Sequence, residues 1–229
     1  MDSPTTLILI VKIIVSVTIA WSITYTSEKY ITYKTRKNTK LNPKAYKVTS
    51  VCTSILTALI CVYALSEFSL AHAILLILFT YISAVMTCVD NSLRIIGNES
   101  VLAMFIVSVI YSLYMNGIAG LGNSLITSVG TGLFFVLTYT LMKHLPIVIF
   151  PAGAGDFKLV LVIAFALGYP QILTALFVTM VVLLIWICVG LVAKKLTLTS
   201  TLPMAGFIAL GFMVTVLELG ADTWLLSMF

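Results

Sequence analysis

The sequence predicts an all-α fold, a polytopic bundle of transmembrane helices, and two observations lead to this prediction. Of the 229 residues, 61% are hydrophobic and only 9% are charged, with a mean hydropathy of +1.15. This composition lies far outside the range of soluble domains. Apolar runs of about 20 residues, the length that crosses a hydrocarbon layer of roughly 30 Å, follow one another. The runs are continuous rather than alternating, which excludes a transmembrane β-barrel.

The predicted spans follow the apolar runs along the chain. They are residues 5–26, 48–66, 70–89, 100–116, 121–142, a double run at 157–193, and 203–220. A single helix over the 37 residues of the double run would reach roughly 55 Å. Gly168, Tyr169 and Pro170 therefore predict a reversal within it. We expect about eight crossings, with six or seven as the alternative. The first run has no signal-peptide features, so we expect it to be retained as a span.

The basic residues predict the orientation, because Lys and Arg next to spans stay in the cytoplasm. With the amino terminus outside, the cytoplasmic segments are 27–47, 90–99, 143–156 and 194–202. Together with Lys158 at their edge, they hold every one of the thirteen Lys and Arg except Lys12. The basic loop at 27–47 would attract anionic lipid head groups, although a role as topology anchor explains it fully.

Two acidic residues are candidates for chemistry, because acids at membrane depth are energetically expensive. Asp90 ends the third predicted span, and Asp156 opens a helix after Gly153, Ala154 and Gly155. Both fall at the cytoplasmic edge, where helix packing could bring the carboxylates together. Two adjacent carboxylates share a proton, so that one activates a water and the other protonates a carbonyl oxygen. This is the arrangement of an aspartyl peptidase.

The local helix ends suggest different roles for the two acids. A helix amino terminus favours an anion, so we expect Asp156 to be the ionised partner, whereas Asp90 at a carboxyl end would be protonated. Simpler interpretations stand beside these. Asp156 could be an ordinary helix cap, and Asp90 an interfacial acid near Arg94.

Three segments resemble motifs of the GxGD aspartyl peptidases, the type IV prepilin and preflagellin peptidase family. Residues 153–159 read Gly-Ala-Gly-Asp-Phe-Lys-Leu, which is similar to G-x-G-D-x-K-L. Asp90 precedes Ile-Gly-Asn at 96–98 with the spacing of the family's Asp before I-P-N, with Gly97 in place of the proline. The segment 202–211 is similar to the proline and glycine motif that opens the last span. The resemblance covers roughly residues 70–220.

The resemblance implies a membrane aspartic endopeptidase that removes the short basic leader of type IV pilin-like precursors. Cleavage would occur at the cytoplasmic boundary of the plasma (inner) membrane, in a single membrane-embedded domain. Asp90 and Asp156 would be catalytic. The supporting residues would be Arg94, Asn98, Gly153, Gly155 and Lys158. The paired C-x-x-C motifs of many bacterial members are missing, so no zinc-bound insert is predicted, and methylation of the new amino terminus is left open.

Two functions from other classes also fit the sequence. In a small ion- or proton-coupled transporter, the same acids would bind a proton or a cation. A non-catalytic assembly scaffold for a pilus or secretion system is suggested by Gly97 at the proline position. Neither His72, His144 nor the four cysteines have metal-ligand spacing, so we predict no metal and no organic cofactor. The expected partners are pilin-like precursors and a bilayer with anionic head groups, and no nucleic acid.

Overall fold

All regular structure in the described part of the chain is α-helical. The computed structural model describes residues 3–35, 43–143, 153–194 and 202–218. These ranges contain seven α-helices, and the prediction of an all-α helical bundle is confirmed. The helices are α1 (Ser3–Thr35), α2 (Pro43–Glu67), α3 (Leu70–Leu93), α4 (Asn98–Lys143), α5 (Ala154–Leu167), α6 (Gln171–Val192) and α7 (Ala205–Glu218).

Five of the described helices, α1, α2, α3, α4 and α6, are long and apolar enough to cross a membrane. Helices α5 and α7 have 14 residues each, which is about 21 Å of helix and less than the roughly 30 Å of a hydrocarbon core. The structure therefore does not support the count of eight crossings. That count treats every apolar run as a crossing, whatever the length of its helix.

Helix α4 consists of two limbs that fold back on each other at Gly117. Gly117 has φ 64° and ψ −166°, a conformation that L residues with a side chain rarely adopt. The hydroxyls of Ser112 and Ser124, twelve residues apart in the chain, lie 2.7 Å apart. A straight helix would separate them by about 18 Å. The first limb (98–116) and the second limb (118–143) therefore correspond to the two separate spans that the sequence predicts here.

The helices on either side of the predicted basic loop extend further than expected. The sequence predicts this loop over 27–47, but α1 continues to Thr35 because no Gly or Pro interrupts residues 27–35. Helix α2 begins at Pro43, a residue suited to the first helical position. Residues 36–42 between them lie outside the described ranges.

The chain divides into two compact units, Met1–Ile96 and Gly97–Phe229. The sequence predicts one membrane-embedded domain, which stays a prediction. In the first unit, hydroxyl groups connect the three helices. Thr24 and Ser50 join α1 to α2 at 2.8 Å, and the Thr26 hydroxyl bonds that of Tyr81 in α3. Such bonds matter between apolar helices, because lipid provides no hydrophobic force that would hold them together.

Helix α5 is buried along most of its length. Between Leu159 and Leu167, every side chain except the half-buried Leu161 is buried, so the helix is enclosed on all sides. It contacts α4, α6 and α7. The chain then reverses through Gly168, which has φ 70°, and α6 begins at Gln171. The predicted interruption of the helix at residues 168–170 is confirmed.

Helices α6 and α7 lie in close contact at Gly211. A Cβ atom built on Gly211 would overlap the Thr179 hydroxyl and the Ala175 carbonyl oxygen. The Thr179 hydroxyl itself donates to the Ala175 carbonyl at 2.7 Å, so it is not free to move aside. The packing of α6 on α7 therefore requires glycine at position 211.

We predict that Gly211→Ala destabilises the protein by about 1–3 kcal/mol, the usual cost of overpacking. Thermal unfolding in detergent micelles measures the effect. Gly130→Ala is the matched control, because no atom lies within 4 Å of a Cβ built there. The control should unfold at the wild-type temperature or slightly above it, since alanine favours helix. Equal unfolding temperatures for the two variants would contradict the close contact.

Candidate active site

Asp156 lies in the first turn of α5, as the sequence predicts, and caps this turn. The helix begins at Ala154, two residues earlier than expected. The Gly153 N–H donates to Asp156 Oδ2 at 2.9 Å. This bond satisfies a donor that a helix start leaves without a partner and forms one half of a capping box. Gly153 has no side chain to form the other half.

The approach of the Asp156 carboxylate explains the first glycine of the motif. A Cβ on Gly153 would lie 3.2 Å from Asp156 Oδ2, a contact tighter than most side chains accept. The backbone of Gly153 is extended, with φ −69° and ψ 152°, so its conformation does not require glycine. Gly153 is exposed and Gly155 is half-buried. The glycine at 153 therefore leaves space beside the carboxylate.

Burial and hydrogen bonding act in opposite directions on the Asp156 carboxyl. Burial is the larger influence and raises the pKa of Asp156 above its ordinary value, while the hydrogen bond from the Gly153 N–H lowers it in part. The sequence argument for an ionised Asp156 rests on the helix terminus alone and omits the cost of removing the carboxylate from water. The choice of the ionised partner stays a prediction, and this result weakens its physical basis.

The structure brings two of the predicted supporting residues together. Lys158 Nζ donates to Asn98 Oδ1 at 2.9 Å, and both side chains are exposed. Lys158 lies two residues after Asp156, a spacing that turns the two side chains to different faces of α5. The hydrogen bond therefore joins the motif at 153–159 to Asn98, the last residue of the motif at 90–98. It directs the Lys158 ammonium toward Asn98.

Asp90 lies in the last turn of α3, at the helix carboxyl end that the sequence predicts. The residue is buried, with 5% of its surface exposed. Arg94 ends the helix in a left-handed conformation, with φ 57° and ψ 36°, and its N–H donates to the Asp90 carbonyl at 2.8 Å. Beside Asp90, the amide of Asn91 donates to the Thr49 hydroxyl of α2. Asp90 is therefore not a solvated surface acid, and its catalytic role stays a prediction.

Gly97 directly precedes α4 at the position where the family has proline. Its carbonyl accepts the Val101 N–H at 3.2 Å, in the first turn of the helix. Among the described glycines, those with positive φ are Gly117 and Gly168. The turn at Gly97 therefore does not use a conformation reserved for glycine.

The predicted site residues are divided between the two units. Asp90 and Arg94 belong to the first unit, and the other predicted residues belong to the second. Within the second unit the structure pairs Gly153 with Asp156 and Asn98 with Lys158. The pairing of Asp90 with Asp156 involves different units and stays a prediction.

Two residues that contact α5 are not among those that the sequence predicts. The Ser128 hydroxyl donates to the Leu161 carbonyl at 3.0 Å. A Cβ on Gly132 would lie 3.1 Å from Leu161 Cδ2. The available signal was the spacing of Ser124, Ser128 and Gly132, because small residues four apart mark close contacts between apolar helices.

Metal-ligating side chains do not cluster in the part of the chain that the structure describes. No group of three or more His, Cys, Asp or Glu residues there could hold a metal ion. His72 lies buried in α3 with its ring 4.6 Å from that of Phe68, centre to centre. His144 lies outside the described residues.

Comparison of the chain with family models, with curated proteins and with solved structures finds no match. The resemblance to the GxGD peptidases therefore rests on the sequence motifs at 90–98, 153–159 and 202–211. The geometry at Asp156 explains one position of these motifs, Gly153.

We predict that the Asp156 carboxyl makes stability depend on pH in a definite direction. Because burial raises the pKa of Asp156 in the folded state, the stability that its protonated carboxyl contributes is fully present below the ordinary pKa of aspartate. This contribution is lost as the pH rises through the raised value. Asp156→Asn keeps an oxygen that accepts the Gly153 N–H but has no charge to bury. The variant should therefore gain stability relative to wild type as the pH rises from about 4 to about 7.

Thermal unfolding of wild type, Asp156→Asn and Asp156→Ala across this pH range checks the prediction. Asp156→Ala also loses the acceptor of the cap and should be less stable than Asp156→Asn by about 1 kcal/mol. A wild type that gains stability over Asp156→Asn as the pH rises would show that the carboxylate is favoured in the fold.

Proposed function

We propose that the chain is a membrane aspartic endopeptidase that removes the short basic leader of type IV pilin-like precursors. The observation that carries this proposal is the arrangement at the start of α5. There a partly buried carboxyl with a raised pKa is held by the N–H of Gly153, a residue that leaves space beside it. This arrangement falls within the segment that resembles G-x-G-D-x-K-L.

In the proposed reaction, Asp90 and Asp156 share one proton. The ionised carboxylate takes a proton from a water, whose oxygen attacks the scissile carbonyl carbon, while the protonated carboxyl gives its proton to the carbonyl oxygen. Collapse of the tetrahedral intermediate breaks the C–N bond, and the amine leaves with a proton from the pair. A raised pKa suits Asp156 to this exchange, because its carboxyl then stays protonated closer to neutral pH and has a proton to donate there.

The position of Asp156 suits a substrate whose cleavage site lies beside an apolar helix. Helix α5 is apolar and buried from Leu159 onward, whereas Gly153 and Ala154 before it are exposed. A precursor could lay its backbone against these small residues at the point where its own apolar helix begins. The basic leader would remain on the cytoplasmic side of the plasma membrane, where the charge pattern of the sequence predicts both acids.

The proposal includes about eight crossings. The two limbs of α4 would cross separately, and α5 and α7 would enter the bilayer as short helices beside them. The fold-back at Gly117 supports this count, because it turns one long helix into two antiparallel limbs.

We predict that the ends of α4 lie on the same side of the membrane and Gly117 on the opposite side. The measurement is labelling of single cysteines by a membrane-impermeant reagent in oriented vesicles, in a background with the native cysteines replaced by serine. Glu99→Cys and Leu141→Cys should react from the same side. Ile118→Cys, at a residue that is 84% exposed, should react from the other side. Reaction of all three from one side would reject the double crossing.

We predict that cleavage of a pilin-like precursor requires both acids. The assay is leader removal by purified protein in liposomes, with Asp90→Asn and Asp156→Asn against wild type. Each substitution keeps the side-chain size and removes the titrating carboxyl, so each should reduce the rate at least about 100-fold. Glu67→Gln is the matched control, because it neutralises an exposed acid at the end of α2 and should cleave as wild type does.

Folding of each variant is checked by its unfolding temperature, so that lost activity reports on chemistry. Cleavage that continues in a folded Asp156→Asn variant would reject the aspartic mechanism. If the folded wild type leaves a panel of precursors intact, the protein is a scaffold or transporter. Proton or cation uptake by the same vesicles separates these two.

A further inference from the structure

The second limb of α4 contacts α5 along a line of residues that leads to Asp156. Ser128, Gly132 and Phe135 lie on one face of the limb. The Ser128 hydroxyl donates to the Leu161 carbonyl at 3.0 Å. A Cβ on Gly132 would lie 3.1 Å from Leu161 Cδ2 and 3.9 Å from Phe157 Cζ. The rings of Phe135 and Phe157 meet edge to face, with centroids 6.4 Å apart. The last of these contacts reaches the residue next to Asp156.

The hydrogen bond differs from the apolar contacts because it has a direction. Apolar side chains tolerate sliding and rotation, whereas a hydroxyl donor reaches only a carbonyl at the right height and angle. A shift of α5 by one residue would move it about 1.5 Å along its axis and turn it about 100°. Such a shift would carry the Leu161 carbonyl away from Ser128 and turn Asp156 toward a different neighbour.

Gly132 complements this bond through its size. Because it has no side chain, the limb can approach α5 closely enough for the Ser128 hydroxyl to reach the Leu161 carbonyl. Gly130 lies on the exposed face of the same limb, where a Cβ would meet nothing within 4 Å. Gly130 and Gly132 therefore offer a matched comparison, because they lie two residues apart on different faces of the same limb.

We propose that Ser128 and Gly132 are positioning residues, which fix the height and rotation of α5 and thereby hold the Asp156 carboxyl where it reacts. The inference rests on the proposed function for the role of Asp156. Neither residue touches substrate. Their effect passes from Leu161 to Asp156 along five residue steps of α5, about 7.5 Å of helix.

Four variants test the proposal, in two matched pairs. Ser128→Ala removes the hydroxyl donor, and Ser128→Thr keeps it. Gly132→Leu forces the limb away from α5, and Gly130→Leu adds the same side chain on the exposed face. The first readout is the titration midpoint of Asp156, followed by its infrared carboxyl band and assigned by the loss of that band in Asp156→Asn. The second readout is kcat and KM for precursor cleavage.

We expect Ser128→Ala and Gly132→Leu to admit water beside Asp156. The infrared midpoint should then fall toward that of an exposed aspartate, and kcat should fall about threefold or more with little change in KM. Ser128→Thr should keep the wild-type infrared midpoint and kcat, and Gly130→Leu should match wild type. A role limited to general stability would lower the unfolding temperature of Ser128→Ala without moving the midpoint.

Unchanged midpoints in both Ser128→Ala and Gly132→Leu would overturn the proposal. So would equal effects of Gly130→Leu and Gly132→Leu, or a Ser128→Thr variant that resembles Ser128→Ala. If Gly132→Leu does not fold, the Ser128 pair still decides. Should the midpoint move as expected while wild type cleaves no precursor, the positioning role stands and the peptidase assignment fails.

Discussion

Close approach of helices at small residues is the constraint on which the described part of the second unit depends. Between apolar helices in lipid, the hydrophobic effect offers little net force, so packing and hydrogen bonds must hold the helices. Gly132 lets the second limb of α4 reach α5, and Gly211 lets α7 reach α6. At the first contact the Ser128 hydroxyl donates across to the Leu161 carbonyl. At the second contact the Thr179 hydroxyl donates within α6 to the Ala175 carbonyl and lies 3.4 Å from the Phe207 carbonyl oxygen of α7. A side chain at either glycine would disturb the packing and the hydrogen bond together.

The presence of each described helix was predictable from the sequence, but the residues at which the helices begin and end were less so. Continuous apolar runs predict every described helix, and Gly168 with Pro170 predicts the reversal after α5. The extension of α1 to Thr35 is not predicted, because residues 27–35 are mostly polar and the apolar pattern of the span ends before them. Only their lack of Gly and Pro indicates that the helix continues beyond the apolar part. The structure does not support the count of eight crossings for a related reason, since an apolar run does not show how long its helix is.

In the candidate site, features set by neighbouring residues were predictable, and features set by residues distant in the chain were not. The helix-start position of Asp156 and the helix-end position of Asp90 follow from neighbouring residues, and both predictions are confirmed. The hydrogen bond between Asn98 and Lys158 joins residues sixty apart, and nothing local indicates it. The pKa direction of Asp156 was missed because burial depends on helices that pack from elsewhere in the chain. A helix terminus can be identified in the sequence, but the desolvation of its first turn cannot.

The reversal at Gly117 also bears on the order in which the second unit can assemble. The two limbs of α4 are neighbours in the chain, so the contact between Ser112 and Ser124 closes a loop of only twelve residues. Short loops lose little chain entropy on closing, and local contacts form early in folding. During synthesis, the limbs can pair before α5 leaves the ribosome. A helix too short to cross the bilayer by itself then finds the surface of α4 that it packs against already formed.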